Sequence, residues 1–198
     1  GTKSDSPPST YHVDPPVKDH PMIKRALSSA AMVALFVART AQAETVEVYL
    51  IDKLDNIQNG YCVDISGGQG QQADPAAGLQ GHTCYSTSGR IFVDQGFDSD
   101  RFVEGTFYMP EFDVCMQVPS TKVGTALQLV DCDGSEAQSF IFSGEGTITP
   151  VSAPEMCVTL DEDTRFGRSK ENQIKNMTLE TCEAAQAASQ IWSYRSAD

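Results

Sequence analysis

From residue 44 onward, apolar and polar positions alternate in short runs, and the runs come round three times. Leu79-Gln80-Gly81-His82-Thr83, Leu127-Gln128-Leu129-Val130-Asp131 and Met177-Thr178-Leu179-Glu180-Thr181 each lead into a cysteine (Cys84, Cys132, Cys182). An apolar residue stands five positions before that cysteine every time, and two of the three runs repeat it at three. A period of two predicts a strand with one buried face, on which the cysteine is expected to lie. Shorter apolar runs surround Cys62, Cys115 and Cys157: Tyr61-Cys62-Val63, Val114-Cys115-Met116 and Met156-Cys157-Val158. A third strand closes each unit at Ile91-Phe92-Val93, Phe140-Ile141-Phe142 and Ile191-Trp192. A fourth opens each one at residues 46–51, Thr106-Phe107-Tyr108 and Thr147-Ile148-Thr149. Gly, Pro, Asp and Ser separate these runs, and helical spacing is confined to one expected turn at residues 184–189.

Each unit therefore holds about four short strands in roughly 40 to 55 residues, a period typical of closed repeat architectures. A glutamine and an aromatic residue follow each cysteine pair: Gln95-Gly96-Phe97, Gln138-Ser139-Phe140 and Gln190-Ile191-Trp192. Propellers of four-stranded blades typically need about four to eight units to close. Three units close instead as a barrel built from two strands of each, capped by the other two, which leaves few free edges. The expected fold is all-β: a β-trefoil of three four-stranded lobes with pseudo-threefold symmetry, at residues 44–104, 105–145 and 146–198. Phe97, Phe140 and Trp192 recur in every lobe and so read as core plugs.

The amino-terminal stretch has a different character. Met22-Ile23-Lys24-Arg25 is basic, residues 26–38 are apolar, and Ala41-Gln42-Ala43 offers small residues to a signal peptidase. Residues 22–43 are thus expected to be a signal peptide cleaved after Ala43. The apolar run is short for a bilayer span and closes at Arg39, so membrane insertion is not expected. Residues 1–21, with five prolines, read as a disordered tail upstream of the natural start. A secreted or periplasmic location follows, and there an even count of six cysteines reads as a disulfide framework. No Cys-x-x-Cys pair occurs and His82 is the one histidine after residue 43, so no metal and no cofactor is expected.

Charge narrows the partners. Residues 1–43 hold three of the 27 acids and five of the 14 bases, which leaves −15 on residues 44–198. Such a surface repels nucleic acid and anionic lipid.

The Cys62-Val63-Asp64 run, the strand ending in Cys84 and the three Gln-x-aromatic closures resemble the ricin B-chain-type lectins, whose members include trefoil carbohydrate-binding modules. The resemblance covers residues 44–198, although two of the closures carry Phe where the family has Trp. It implies one disulfide within each lobe: Cys62 with Cys84, Cys115 with Cys132, Cys157 with Cys182. Cysteine spacing alone leaves fifteen connectivities open. It also implies a sugar site in each lobe that keeps the family's residues. An Asp two after the first cysteine binds hydroxyls, a residue two before the second cysteine covers the ring, and a polar residue before the glutamine adds a contact. Lobe one offers Asp64, His82, Asp94 and Gln95, with Gln95 positioning Asp64. Lobe two offers Gln117, Val130, Ala137 and Gln138; lobe three offers Thr159, Glu180, Ser189 and Gln190. Lobe one alone keeps an Asp, and its stretch from Cys84 to Gln95 is longer, 11 positions against 6 and 8.

Plainer readings stand beside these. Asp64 fits an ordinary turn aspartate, and His82 fits a solvent-facing strand residue. Tyr85 and Phe92 are aromatics without an assigned role, and the glycine-rich run at 67–72 borders the pocket in the family. Asp161-Glu162-Asp163 lacks the further acids of a calcium loop. With no serine–histidine–acid set beyond a lone His82, an enzyme is not expected. The expected function is weak carbohydrate binding through lobe one. The alternative is a degenerate trefoil that engages a protein partner or acts as an inhibitor without binding sugar.

Overall fold

The computed structural model of the chain describes residues 1–2 and 44–197. The expected signal peptide, and the tail beyond Thr2, lie outside the described residues. Lobe one contributes β1 (Thr45–Leu50), β2 (Tyr61–Ile65), β3 (Leu79–Thr83) and β4 (Gly96–Asp98). Lobe two contributes β5 (Tyr108–Met109), β6 (Val114–Gln117), β7 (Thr125–Ala126), β8 (Gln128–Asp131) and β9 (Phe140–Ile141). Lobe three contributes β10 (Glu145–Gly146), β11 (Thr149–Pro150), β12 (Met156–Leu160), β13 (Arg165–Phe166), β14 (Gln173–Thr181) and β15 (Trp192–Arg195). The expected turn at 184–189 is there, as a 3-10 turn at Ala184–Gln186 running into a helix at Ala187–Gln190.

The opening and closing strands link the lobes. In lobe one β1 pairs with β4, and it also pairs with β15 of lobe three; β9 of lobe two pairs with β11 of lobe three. The middle strands form a hairpin in each lobe, and the three hairpins meet in a triangle. β3 of lobe one pairs with β14 of lobe three, β14 pairs with β7 of lobe two, and Leu79 N donates to Leu127 O at 3.3 Å to close the ring. This is the β-trefoil that the repeat predicts.

One apolar core runs through all three lobes, and the closing aromatics lie at its centre: Phe97 and Trp192 are 0% exposed and Phe140 3%. Trp192 Nε1 donates to Val158 O at 2.9 Å, so the one buried indole has its partner. Phe107 stands edge-on to both Phe97 and Phe140, at 6.2 and 5.5 Å between ring centroids. The three disulfides join Cys62–Cys84, Cys115–Cys132 and Cys157–Cys182, one within each lobe.

The second cysteines depart from expectation. Cys84 is buried, but Cys132 is exposed and Cys182 only partly covered, while Leu127 and Leu179 are buried. Five positions is an odd offset, and an odd offset along a strand reverses the face. The cysteine therefore belongs opposite the apolar set, and Cys84 is buried because lobe one is covered on both sides there.

The glutamines show what the repeat is for. Gln95 Nε2 donates to Thr83 O, Gln138 Nε2 to Asp131 O and Gln190 Nε2 to Thr181 O, at 3.1, 2.9 and 2.9 Å. In every lobe that carbonyl precedes the second cysteine. An unmet buried carbonyl is costly, so the amide fixes the end of the strand that leads into the second cysteine against the plug.

Candidate functional site

Strand register gathers the lobe-one residues. Asp64 stands opposite Gln80 and Cys62 opposite His82 across the β2–β3 pair. Residues two apart share a face, so these four side chains lie on one side of the hairpin. Asp64 is 1% exposed, with Oδ1 accepting from Gln80 Nε2 and Oδ2 from Gln95 Nε2, both at 2.9 Å. Gln95 thus holds Asp64, as the resemblance implies. Gln80 holds it too, which sequence reading missed, although its place two residues before His82 put it on that face.

Burial pushes the Asp64 carboxyl up to about 8; the Gln80 amide opposes this, the Asp94 charge adds to it, and the Gln95 amide opposes it. His82 is 7% exposed, not solvent-facing, because β3 is an inner strand between β2 and β14. Its Nδ1 lies 3.0 Å from Thr83 O. A carbonyl only accepts, so Nδ1 carries the proton and the neutral ring keeps Nε2 as an acceptor. Burial lowers the His82 pKa, while the Thr83 carbonyl and the Asp94 charge act the other way.

Above these residues lies a cleft of about 310 Å³. Gln80, His82 and Tyr85 form one wall, Gly67 and Gly68 a rim, and the far wall comes from lobe three, with Arg168 and Ile174. Strand pairing brings that wall close, since Ile174 of β14 stands opposite His82 of β3; on the other face of β3, a Cβ at Gly81 would sit 2.6 Å from Leu160 Cδ2. The His82 and Tyr85 rings are 5.3 Å apart and tilted by 31°, so Tyr85 extends the aromatic surface. Burial, with Asp64 and Asp94 charges nearby, pushes the Tyr85 hydroxyl up to about 12.

Asp94 has another place than the one expected. It is 3% exposed and, like Asp64 and Gln95, does not itself line the cleft; its Oδ2 accepts from Gly70 N at 2.8 Å. Its carboxylate thereby pins the glycine-rich loop, where residues 67–70 all have positive φ, Gln69 among them at 103°. Asp94 Oδ1 and Gln95 Oε1 are buried without a hydrogen-bond partner among the described residues.

The equivalent places in the other lobes carry different chemistry. Gln138 Oε1 accepts from Asp133 N and Gln190 Oε1 from Glu183 N, so both are satisfied by main chain. Thr159, in the place of Asp64, donates to Cys157 O at 2.9 Å and accepts from Gln190. Among the described residues, one group has metal-ligand spacing: Glu47 with Cys62 and Cys84. Those cysteines are bonded to each other and offer no thiolate.

The family model of the ricin-type beta-trefoil lectin domain matches residues 104–198. Residues 104–198, a little under half of the chain, are thus similar to the ricin-type β-trefoil lectins. The match begins where lobe two begins, so lobe one, with its longer stretch after Cys84, lies outside the matched range. Among solved structures, this chain is similar to an earthworm lectin C-terminal domain mutant in complex with 6'-sialyllactose. The TM-score is 0.51 at 17% identity, covering 77% of this chain and 98% of that one. The mdaA-1 domain gives a TM-score of 0.54 at 15% identity, over 77% and 90%. A designed threefold symmetric protein, ThreeFoil, gives 0.50 at 11%, over 76% and 96%. At these identities the likeness is one of fold. No curated protein matches the sequence. No helix among the described residues is long and apolar enough to cross a membrane.

Proposed function

We propose that this protein is a secreted or periplasmic, non-enzymatic carbohydrate-binding module that takes weak hold of a sugar through lobe one. The observation that carries the reading is the buried Asp64 carboxylate held by two glutamine amides beneath an aromatic-walled cleft. The other lobes fold around Thr159 and Gln117 at that place, so the fold itself does not require a carboxylate there. A carboxylate accepts hydrogen bonds from adjacent hydroxyls, and an aromatic wall suits the C–H face of a ring. The family and the earthworm lectin complex support the ligand class, and three disulfides agree with an oxidising compartment.

Asp64 and Gln80 are read as hydroxyl-binding groups, and His82 with Tyr85 as the ring platform. Gln95 positions Asp64, and Asp94 positions the rim loop. A single shallow site gains strength through clustering. The test is calorimetric titration with a panel of mono- and oligosaccharides. Wild type is expected to bind at millimolar concentration or better, Asp64→Ala to lose binding, and Thr159→Ala to keep it. Wild type that binds no sugar sinks the reading and leaves the protein-interaction alternative, to which the unmatched sites of lobes two and three point. Binding that survives Asp64→Ala moves the site elsewhere.

A further inference from the structure

The stretch that makes lobe one longer than its siblings builds a second cleft. Residues 69–72 form one wall and residues 90–93 the other, around a volume of about 400 Å³. Gln69 lines both this cleft and the first, so the two adjoin. The Asp94 carboxylate ties the walls together: Asp94 follows directly on residues 90–93, and it accepts from Gly70 N on the other side at 2.8 Å. Aromatic rings run from one cleft to the next. His82 and Tyr85 are 5.3 Å apart and Tyr85 and Phe92 4.5 Å apart, between centroids.

Arg90 gives the second cleft its chemistry. Its Cζ lies 4.4 Å from the centre of the Phe92 ring. A guanidinium stacked on a ring keeps its N–H donors free at the planar edge, the geometry that takes a carboxylate in two parallel hydrogen bonds. Arg101 and Arg195 pair with Asp98 and Glu47, whereas among the described residues Arg90, Arg165 and Arg168 have no acid within ion-pair distance, and of these three Arg90 is the one stacked on a ring. On a segment of net charge −15, a ring-stacked guanidinium that lines a cleft and has no carboxylate of its own is placed to take one from a ligand. Long-range repulsion between that surface and an anionic ligand is screened beyond about 8 Å at physiological salt, while a direct ion pair is not.

We propose that lobe one binds an acidic oligosaccharide across two adjoining subsites, one unit in the first cleft and a carboxylate-bearing unit in the second, where Arg90 grips it. This rests on the carbohydrate-binding reading of lobe one.

The test uses galacturonate, glucuronate and mannuronate trisaccharides, each beside its carboxyl-reduced neutral counterpart, titrated at physiological salt into wild type, Arg90→Gln and Arg168→Gln. Wild type is expected to bind at least one uronate series roughly tenfold more tightly than its neutral counterpart, the scale of one charge-assisted contact. Arg90→Gln is expected to bring the two to the same affinity and leave the neutral affinity unchanged; Arg168→Gln is expected to keep the preference. Arg90 is exposed, so the variant should keep the fold. Neutral binding without an acidic preference overturns this inference and leaves the lectin reading standing. A preference that survives Arg90→Gln, or is lost in Arg168→Gln, overturns the assignment to the second cleft. Binding of neither series, with the sugar panel also silent, fails the lectin reading itself and this inference with it.

Discussion

Lobes one and three solve the same folding problem with the same glutamine, and differ in what that glutamine faces. Gln95 and Gln190 each tie down the carbonyl before the second cysteine, and each reaches the side chain two after the first. In lobe three that side chain is Thr159, whose hydroxyl has a main-chain acceptor of its own, and Gln190 Oε1 finds Glu183 N. In lobe one it is a carboxylate that burial strains towards its protonated form, and Gln95 Oε1 has no partner. Lobe three shows that the framework is stable without a charge. Lobe one instead buries an acid that its surroundings hold towards the protonated form, at a cost to stability when it ionises, as expected of a group kept for binding.

The comparison breaks most visibly if the plugs are not equivalent. Trp192→Ala and Phe97→Ala are each expected to cost about 3–5 kcal/mol in urea unfolding, the range for emptying a large buried aromatic. A loss under about 1 kcal/mol for Phe97→Ala would mean that lobe one does not share the plug, by the same scale.

A pH series sharpens the difference at Asp64. Its folded pKa of about 8 lies above the ordinary 3.8, so the folded protein holds that proton more tightly than the unfolded chain. The contribution is whole below about pH 4 and lost as pH rises through 8, with a slope of at most about 1.4 kcal/mol per pH unit. Between pH 5 and 7 wild type should therefore lose up to about 3 kcal/mol relative to Asp64→Asn, measured as the difference between their unfolding free energies. A difference that does not change with pH would show that Asp64 ionises freely in the fold. His82, whose pKa burial lowers, and Asp94 are the titratable neighbours to hold fixed in that comparison.

The smallest effect belongs to lobe three. Thr159→Val removes one satisfied hydroxyl and should cost about 1 kcal/mol, with no pH dependence. A cost well beyond that would show that lobe three also depends on a strained polar centre.

Much of this was legible in the chain. Three alternating runs, three cysteine pairs and three glutamine–aromatic closures predict the trefoil, because each is a local pattern repeated in register. The pairing of Asp64 with Gln95 came from the family resemblance. Gln80 was within reach, since period two sets it on the face of His82. The place of Asp94 was not, because the path of eleven positions from Cys84 to Gln95 is not a repeat of anything else in the chain. The exposed Cys132 marks an error of parity rather than of missing information.

The sequence by itself determined the architecture, the core plugs, and which lobe differs from its siblings, for these depend on residue type and spacing alone. Tertiary structure decided what that difference is made of. Arg168 and Ile174 are some ninety residues from His82 in the chain, yet they wall its cleft because β14 pairs with β3 and sets Ile174 opposite His82. Burial from both sides, which no single strand encodes, turns Asp64 from a turn aspartate into a strained carboxylate and fixes Asp94 as the clasp between two clefts.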